Sequence, residues 1–180
     1  DKILPENFLH RINSMLPQDI AIHHFFEVKP DMHARFDALS RTYKYFIHFE
    51  KNPFLEDQSF LFNQRPDIEK MNLCIRQLFG EHDFSTFEKK GSDNKTSVCI
   101  LENAYWEQTE TGLVFTITAN RFLRNMVRRI TAALLMVRLG KLNEQEVIHA
   151  VLNKEALEVK HAVPAKGLFL WKIEYEFNKD

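Results

Sequence analysis

The segment 119–137, ANRFLRNMVRRITAALLMV, combines the apolar pattern of a core helix with a concentration of positive charge. Its apolar residues recur every three or four positions, so at about 100° per residue they fall on one side of a helix. Four arginines lie within nine residues near its start, namely Arg121, Arg124, Arg128 and Arg129. The first three fall within roughly 60° of one another on the opposite side. The pattern predicts a helix from Ala119 to about Leu139 with a buried apolar side and a basic face.

The arginines have no acidic partner within this part of the chain. The window 111–143 contains no Asp or Glu, whereas it holds six of the 24 lysines and arginines. Cations near a helix N-terminus are unfavourable to the helix dipole. A solvated surface face is the ordinary explanation of a charge run. The single sign and the crowding nevertheless favour an acidic partner from outside the helix, either a carboxylate or phosphates.

Composition limits the class of protein. A chain of 180 residues that is 44% hydrophobic, with 16 Phe, has ample material for a core. The net charge of −1 does not indicate general binding to nucleic acid. No apolar run approaches the ~18 residues of a membrane span. Cys74 and Cys99 are too few for a disulfide framework or a zinc knuckle. A single disulfide is the minority alternative, and we expect a cytoplasmic protein without a membrane segment.

The remaining patterns predict an α+β fold. Helices are indicated over 5–16, 67–79 and 144–152, the last with a capping box from Asn143 and Glu146. Strands are indicated over 20–28, within 36–49, over 98–106 and 112–119, and in the closing GLFLWKIEYEF. This order predicts a largely antiparallel sheet with helices packed on one face.

A second group of residues combines cations with aromatic rings. In the segment 33–46, HARFDALSRTYKYF, Arg35, Arg41 and Lys44 alternate with Phe36, Tyr43 and Tyr45. That mixture is typical of surfaces where bases stack and phosphates are neutralised. A core strand edged with long cationic side chains explains it equally well.

Other motifs do not indicate a cofactor. His82 and Asp83 have no second ligand pair at metal spacing, and the adjacent Phe84 and Phe87 favour a structural turn. No P-loop, GxGxxG or GxSxG segment occurs. We therefore expect neither a metal nor an organic cofactor.

Four groups of motifs together resemble one enzyme family. They are HARFDA (33–38) with RTYKY (41–45), GEHDFSTF (80–87), ANRFLRNMVR (119–128) and PAKGLFL (164–170). In this order and spacing they resemble the tRNA pseudouridine synthase A family, over essentially the whole chain but only the later part of a full member. The resemblance implies an α+β fold of RRM- or ferredoxin-related halves. It also implies isomerisation of uridine in the tRNA anticodon stem-loop, tRNA as partner, a homodimer and no cofactor.

The resemblance also implies roles for single residues. A tyrosine of the family packs against the target base and maps to Tyr43, and an arginine that pairs with the catalytic aspartate maps to Arg128. Further RNA-binding candidates, together with Tyr43, are His33, Arg35, Arg41, Arg121 and Arg124.

One departure from the family is decisive. The nucleophilic aspartate lies in a GRTDxGVHA-type segment, and no such segment occurs in these 180 residues. Asp31, Asp37 and Asp83 are not substitutes, because each lies in a different family motif. We therefore expect a fragment that is inactive alone, with residues 1–62 ending the N-terminal half and residues 63–180 forming the C-terminal α+β domain. The alternatives are a non-catalytic RNA-binding module, although no RNP1-like segment occurs, and an interaction domain for an acidic protein.

Overall fold

The computed structural model describes residues 5, 7–65, 67–91, 94–157, 159 and 161–176. The chain divides between Asp37 and Ala38 into two units. The first unit contains one helix, α1 (Phe8–Met15), inside the predicted range 5–16.

The strand predicted over 20–28 is wrong. These residues form neither helix nor strand. The side chain of Asn13 exchanges two hydrogen bonds of 2.7 Å with the backbone of Ile22, and Phe25 contacts Phe8 edge-on at 5.5 Å. A segment with apolar alternation forms a strand only where a neighbouring strand pairs with its backbone N–H and C=O groups. Residues 20–28 pair with no strand among the described residues.

The second unit contains every strand and the other three helices of the described residues. Its elements are β1 (Ser40–His48), β2 (Phe60–Leu61), α2 (Ile68–Arg76), β3 (Gly80–Asp83), β4 (Val98–Gln108), β5 (Gly112–Ala119), α3 (Met126–Arg138), α4 (Glu144–Leu152) and β6 (Leu168–Glu174). Short 3₁₀ turns lie at Pro53–Leu55, Ser85–Phe87 and Ala165–Gly167.

Strand β1 is the centre of a six-stranded sheet. One edge pairs antiparallel with β5 along its whole length, from Arg41 opposite Ala119 to His48 opposite Gly112. The other edge pairs antiparallel with β6 and then, at Ile47 and His48, parallel with β2. Strands β4 and β3 continue the sheet beyond β5. Only the two-residue β1–β2 pair is parallel, so the prediction of a largely antiparallel sheet is confirmed.

The core lies between one sheet face and helices α2, α3 and α4. Tyr45, Phe115 and Trp106 stand opposite one another on adjacent strands, and all three are buried. Helix residues complete this cluster, among them Met71, Ile75, Met126, Ile130 and Val147. Each large apolar side chain removed from water contributes about 1.5–3 kcal/mol. Because α2, α3 and α4 all contribute to this one core, the prediction of helices packed on one sheet face is confirmed.

The helix predicted from Ala119 begins only at Met126. Ala119 still pairs with Arg41, and the backbone N–H and side-chain Oδ1 of Asn120 both bond to the backbone of Ile100, at 3.1 and 2.8 Å. Asn125, which precedes the helix, has φ 66°. A right-handed helix cannot continue through this left-handed backbone. Residues 120–125, named the 120–125 segment below, are thus an irregular connection.

The capping box of α4 is confirmed. Asn143 Oδ1 accepts a hydrogen bond of 3.1 Å from the backbone of Gln145, and Glu146 Oε2 accepts one of 2.6 Å from the Asn143 N–H. Both bonds satisfy amides that a helix start leaves unpaired. The domain border at residues 62 and 63 stays a prediction. No helix within the described residues is long and apolar enough to cross a membrane.

Candidate active site

Tyr43 lies near the middle of β1 on the face that carries Tyr45. Its cross-strand neighbours are Ile117 of β5 and Leu170 of β6. The half-buried ring meets Phe122 edge-on, with 5.0 Å between centroids and 83° between planes. Burial raises the pKa of Tyr43 above its ordinary value, and the Arg41 guanidinium offsets this in part. The hydroxyl is therefore a neutral group at physiological pH.

Arg128 lies in the first turn of α3 and is held by a main-chain contact. Its Nε donates a hydrogen bond of 2.7 Å to the carbonyl of Val163, and the Val163 N–H donates one of 3.3 Å to the carbonyl of Arg128. The side chain is half-buried. Among the described residues, no carboxylate lies within ion-pair distance of this guanidinium. The arrangement leaves the charge of Arg128 available to an acidic group from outside these residues.

The segment 163–167 connects Arg128 to β1. The Tyr45 hydroxyl donates a hydrogen bond of 2.8 Å to the carbonyl of Pro164, the residue after the partner of Arg128. Gly167 lies against β1 so closely that a Cβ there would be 2.7 Å from the Phe46 carbonyl oxygen and 2.9 Å from Tyr45 Cζ. Burial raises the pKa of Tyr45, and the positive charge of Arg128 acts in the opposite direction. The electrostatic coupling agrees with the contacts in placing Arg128 near β1.

Three parts of the chain therefore converge at this site. They are β1 with Tyr43 and Tyr45, the 120–125 segment with the start of α3, and the segment 163–167. Each overlaps a different motif of the sequence, and the PAKGLFL segment contributes the Pro164 carbonyl and Gly167, whereas the Val163 carbonyl lies directly before it. The site combines an aromatic surface on β1 with a guanidinium held at the start of α3. Such a site is suited to a planar base next to an anionic group.

Comparison with known proteins identifies the family. Residues 74–176 match a family model described as tRNA pseudouridine synthase. The chain belongs to this family.

Curated relatives agree with the match. The tRNA pseudouridine synthase A of Bacteroides fragilis is 42% identical over 166 residues, which is 92% of this chain and 66% of the relative. The Bacillus subtilis protein of the same name is 32% identical over 95% of this chain and 70% of its own length. The Bacteroides thetaiotaomicron protein is 40% identical, and the chain covers 62% of it. The chain thus spans less than two thirds of the length of the Bacteroides relatives.

Arg121 and Arg124 do not lie on helix α3, so the prediction that they share a helix face with Arg128 is wrong. Arg121 Nη2 donates a hydrogen bond of 3.1 Å to Asn94 Oδ1. Arg124 is exposed, and its carbonyl accepts a hydrogen bond of 3.0 Å from the Lys89 N–H. The irregular backbone of the 120–125 segment separates both residues from α3. Their predicted role in RNA binding stays a prediction.

Glu88 is the acidic residue that the sequence interpretation missed. Its Oε1 accepts a hydrogen bond of 2.7 Å from Asn94, and its Oε2 accepts one of 2.6 Å from Ser97. Its main-chain carbonyl accepts one of 2.7 Å from Arg129 Nη1. The sequence predicted an acidic partner from outside the helix, and Glu88 directly follows the GEHDFSTF motif. Arg129 bonds to the main-chain carbonyl of Glu88, so this contact does not confirm an acidic partner. The separation of 41 positions between Glu88 and Arg129 hid the connection.

Arg41 is held within the fold. Its Nη1 donates hydrogen bonds of 2.8 Å to the Ala38 carbonyl and 2.7 Å to the Asn120 carbonyl. In this way the guanidinium ties the start of β1 to the 120–125 segment. RNA binding by Arg41 stays a prediction.

His33 and Arg35 lie in the first unit and form a local turn. His33 Nδ1 accepts the Arg35 N–H at 3.1 Å, and Asp37 Oδ2 accepts the His33 N–H at 2.6 Å. The Arg35 guanidinium lies 5.8 Å from the ring centroid of Phe36. These contacts show a turn with an exposed cation on an aromatic ring, and RNA binding by His33 and Arg35 stays a prediction.

His82 and Asp83 end strand β3 and have structural contacts. Asp83 Oδ1 accepts the Ser85 N–H at 2.9 Å, and its Oδ2 is 3.5 Å from Lys154 Nζ. Burial acts to raise the pKa of Asp83, but the Ser85 hydrogen bonds and the Lys154 charge together lower it. Among the described residues, no three His, Cys, Asp or Glu side chains form a cluster that could hold a metal.

Proposed function

We propose that the protein carrying this chain is a tRNA pseudouridine synthase, which converts uridine to pseudouridine in the anticodon stem-loop of tRNA. The observation that carries the proposal is the attachment of Arg128 and of Tyr45, which shares a strand face with Tyr43, to the segment 163–167, in a chain of this family. The RNA-binding module without catalysis is not favoured, because the match is to a synthase family.

The reaction needs one bond exchange and no external reductant or oxidant. The bond between N1 of uracil and C1′ of ribose breaks, the base turns, and a bond between C5 and C1′ forms. The proton on C5 is released to solvent, and N1 takes up a proton. A uridine must first leave its stack to reach the enzyme, which costs a few kcal/mol.

Tyr43 and Arg128 have distinct roles in this proposal. The half-buried ring of Tyr43, backed by Phe122, packs against the flipped base. Arg128 forms an ion pair with the nucleophilic aspartate, which this chain does not contain. Removing the partner of a desolvated carboxylate is expected to be costly, because an uncompensated charge remains in the site. The 180-residue chain alone is therefore expected to bind tRNA without turning it over.

The site of action and the assembly are part of the same proposal. The relatives in Bacteroides fragilis and Bacillus subtilis are bacterial proteins named for tRNA modification, which supports action in the cytoplasm. We also infer a homodimer for the full-length enzyme, from the resemblance to the family.

Release of tritium from tRNA labelled at C5 of uridine tests the proposal directly, because only isomerisation at C5 frees this hydrogen. The full-length protein should release tritium in proportion to the pseudouridine formed, and the 180-residue chain should release none. A full-length protein that binds tRNA but frees no tritium would contradict the synthase function. Turnover by the 180-residue chain would contradict the assignment of the nucleophile to a missing segment.

A further inference from the structure

Glu88 joins two loops that are distant in sequence. The first is the 88–97 loop, residues Glu88 to Ser97, of which the structure describes 88–91 and 94–97. Both carboxylate oxygens of Glu88 accept side-chain hydrogen bonds inside this loop, from Asn94 at 2.7 Å and from Ser97 at 2.6 Å. Charge-assisted bonds of this length are roughly twice as strong as neutral ones. The carboxylate therefore links the two described parts of this loop, residues 88–91 and 94–97.

The same loop is attached to the 120–125 segment and to α3. Arg121 Nη2 donates to Asn94 Oδ1 at 3.1 Å, the Lys89 N–H donates to the Arg124 carbonyl at 3.0 Å, and Arg129 Nη1 donates to the Glu88 carbonyl at 2.7 Å. Two of these bonds attach the loop to the 120–125 segment, and the third attaches it to Arg129 of α3. Arg121 and Glu88 also act in opposite directions on the pKa of the buried Cys99 thiol, which places both charges near it.

The 120–125 segment contains Phe122, whose ring packs against Tyr43. Phe122 lies between Arg121 and Arg124 in the sequence, and its ring is 5.0 Å from that of Tyr43. Arg129, which bonds to Glu88, directly follows Arg128 in α3. The network thus reaches the two proposed active-site residues through their immediate neighbours.

The loop also carries exposed positive charge. Lys89, Lys90 and Lys95 are exposed, as is Arg124, whose carbonyl holds Lys89. Fixing the loop to the 120–125 segment therefore gathers four exposed cations around one connection. These four cations bind a polyanion such as RNA more tightly if the loop already holds them together before binding. Ordering mobile side chains and loops during binding has an entropic cost that lowers the affinity.

We propose that Glu88 is a positioning residue for tRNA in this synthase: it holds the 88–97 loop against the 120–125 segment, so that Phe122 supports Tyr43 and the cations of both loops meet the RNA together. The proposal rests on the proposed function. Glu88 itself touches neither base nor reacting atoms in it.

Limited trypsin digestion of the 180-residue chain tests the anchoring of the loop. Trypsin cuts after Lys89, Lys90 and Lys95, and cleavage requires the loop to open. Glu88→Ala should speed cleavage there by about 10-fold or more, since a hydrogen-bonded charge is lost and its donors are left unpaired. Glu88→Gln should give a smaller increase, because its amide oxygen still accepts one bond. The matched control is Glu102→Gln, an exposed carboxamide change on β4. Equal cleavage rates in Glu88→Ala and the control would overturn the anchoring.

Steady-state kinetics of the full-length enzyme tests the role toward tRNA. Glu88→Ala should raise KM for tRNA about 10-fold with a smaller change in kcat, and Glu88→Gln should recover most of the loss. Ser97→Ala removes a single donor and remains informative if Glu88→Ala fails to fold. A purely structural role would lower the amount of active enzyme and the melting temperature with KM unchanged, and that result would overturn the proposal.

The outcomes separate this inference from the proposed function. If the wild-type enzyme forms pseudouridine and the Glu88 variants match the Glu102 control in KM, the positioning role is wrong and the synthase function stands. If the wild-type enzyme forms no pseudouridine, the synthase function fails and the role toward tRNA fails with it. The trypsin result decides the anchoring of the loop in either case.

Discussion

The Tyr45 hydroxyl donates a hydrogen bond of 2.8 Å to the Pro164 carbonyl, across 119 positions of sequence. The preceding carbonyl, that of Val163, accepts the hydrogen bond from Arg128. Two consecutive carbonyls therefore receive one bond from the central strand and one from helix α3. The segment 163–167 sets the distance between β1 and α3, and with it the position of Arg128.

The first prediction concerns this hydrogen bond. Tyr45→Phe should lower the free energy of unfolding by about 1 kcal/mol, because a largely desolvated donor and its acceptor lose their contact. For a domain of this size that corresponds to a melting temperature lower by about 2–4 °C, measured by thermal denaturation. Tyr105→Phe is the matched control, since Tyr105 is a half-buried tyrosine of the same sheet. Equal melting temperatures for the two variants would show that the Tyr45 hydroxyl adds no stability.

The second prediction concerns the charge of Arg128. In the full-length enzyme, Arg128→Ala should reduce kcat/KM by about 100-fold or more, because the catalytic aspartate would lose its partner. Arg128→Lys should remain strongly impaired, since an ammonium lacks the planar geometry that bonds to Val163 and to a carboxylate at once. The measurement is pseudouridine formation under single-turnover conditions. Arg124→Ala, at an exposed arginine outside the helix, should keep its single-turnover rate at saturating enzyme. Near wild-type activity of Arg128→Ala would remove Arg128 from the site.

The third prediction separates the ring of Tyr43 from its hydroxyl. The pKa of Tyr43 is raised by burial, so the group keeps its proton below pH 10 and contributes no ionisation to the activity profile. Tyr43→Phe should therefore leave the shape of the pH–activity curve unchanged below pH 10. Tyr43→Ala also removes the contact with Phe122, and kcat/KM should fall about 5- to 150-fold, since the stacking of a base on an aromatic ring contributes about 1–3 kcal/mol. A Tyr43→Ala enzyme with wild-type kcat/KM would contradict the role in base packing.

The fourth prediction concerns the two free, fully buried cysteines. Burial raises the pKa of Cys74 to about 12, with a further contribution from Glu144. Burial likewise raises the pKa of Cys99 to about 11. Thiol reagents should therefore react with neither cysteine in the folded protein at pH 8, and with both in urea. Rapid labelling of the folded chain would contradict the burial of these thiols.

The same shifts determine how stability depends on pH. In the unfolded chain the thiols lose their protons near pH 9, whereas in the folded chain they keep them to about pH 11 and 12. The stability contribution is complete below pH 9 and is lost as the pH rises toward those values. Urea titrations at pH 8, 9 and 9.5 should show the start of the decline while the tyrosines, whose ordinary pKa is about 10, remain mostly protonated. A Cys74→Ala, Cys99→Ala double variant should show a flatter profile, and an equal slope in both proteins would contradict this assignment.

Local patterns succeeded where neighbouring residues supply the interactions. The capping box of α4 needs only Asn143 and Glu146, three positions apart, and it was correctly predicted. The alternation of RTYKYFIHF likewise placed Tyr43 and Tyr45 on one strand face, because side chains alternate by geometry alone. Both rules fail where the backbone changes direction. The apolar pattern predicted a helix from Ala119, but the left-handed backbone of Asn125 delays the start of the helix to Met126.

The strand predicted over 20–28 failed for a related reason. Its alternation is compatible with a strand, but a strand exists only with a partner to pair its amides and carbonyls. The alternation pattern of a segment does not show whether another strand lies beside it in the fold. Glu88 shows the same limitation at the site, because its bond to Arg129 joins residues 41 positions apart.

The sequence by itself determined the family, the fold class and the identities of Tyr43 and Arg128 as candidates, because motifs and periodicity are local properties of the chain. The tertiary structure decided which groups hold those residues: Phe122 beside Tyr43, the Val163 and Pro164 carbonyls between Arg128 and Tyr45, and Glu88 across two loops. These contacts join residues far apart in sequence. Only packing the sheet against its helices selects them, since burial forces each polar group to find a partner wherever the fold brings one.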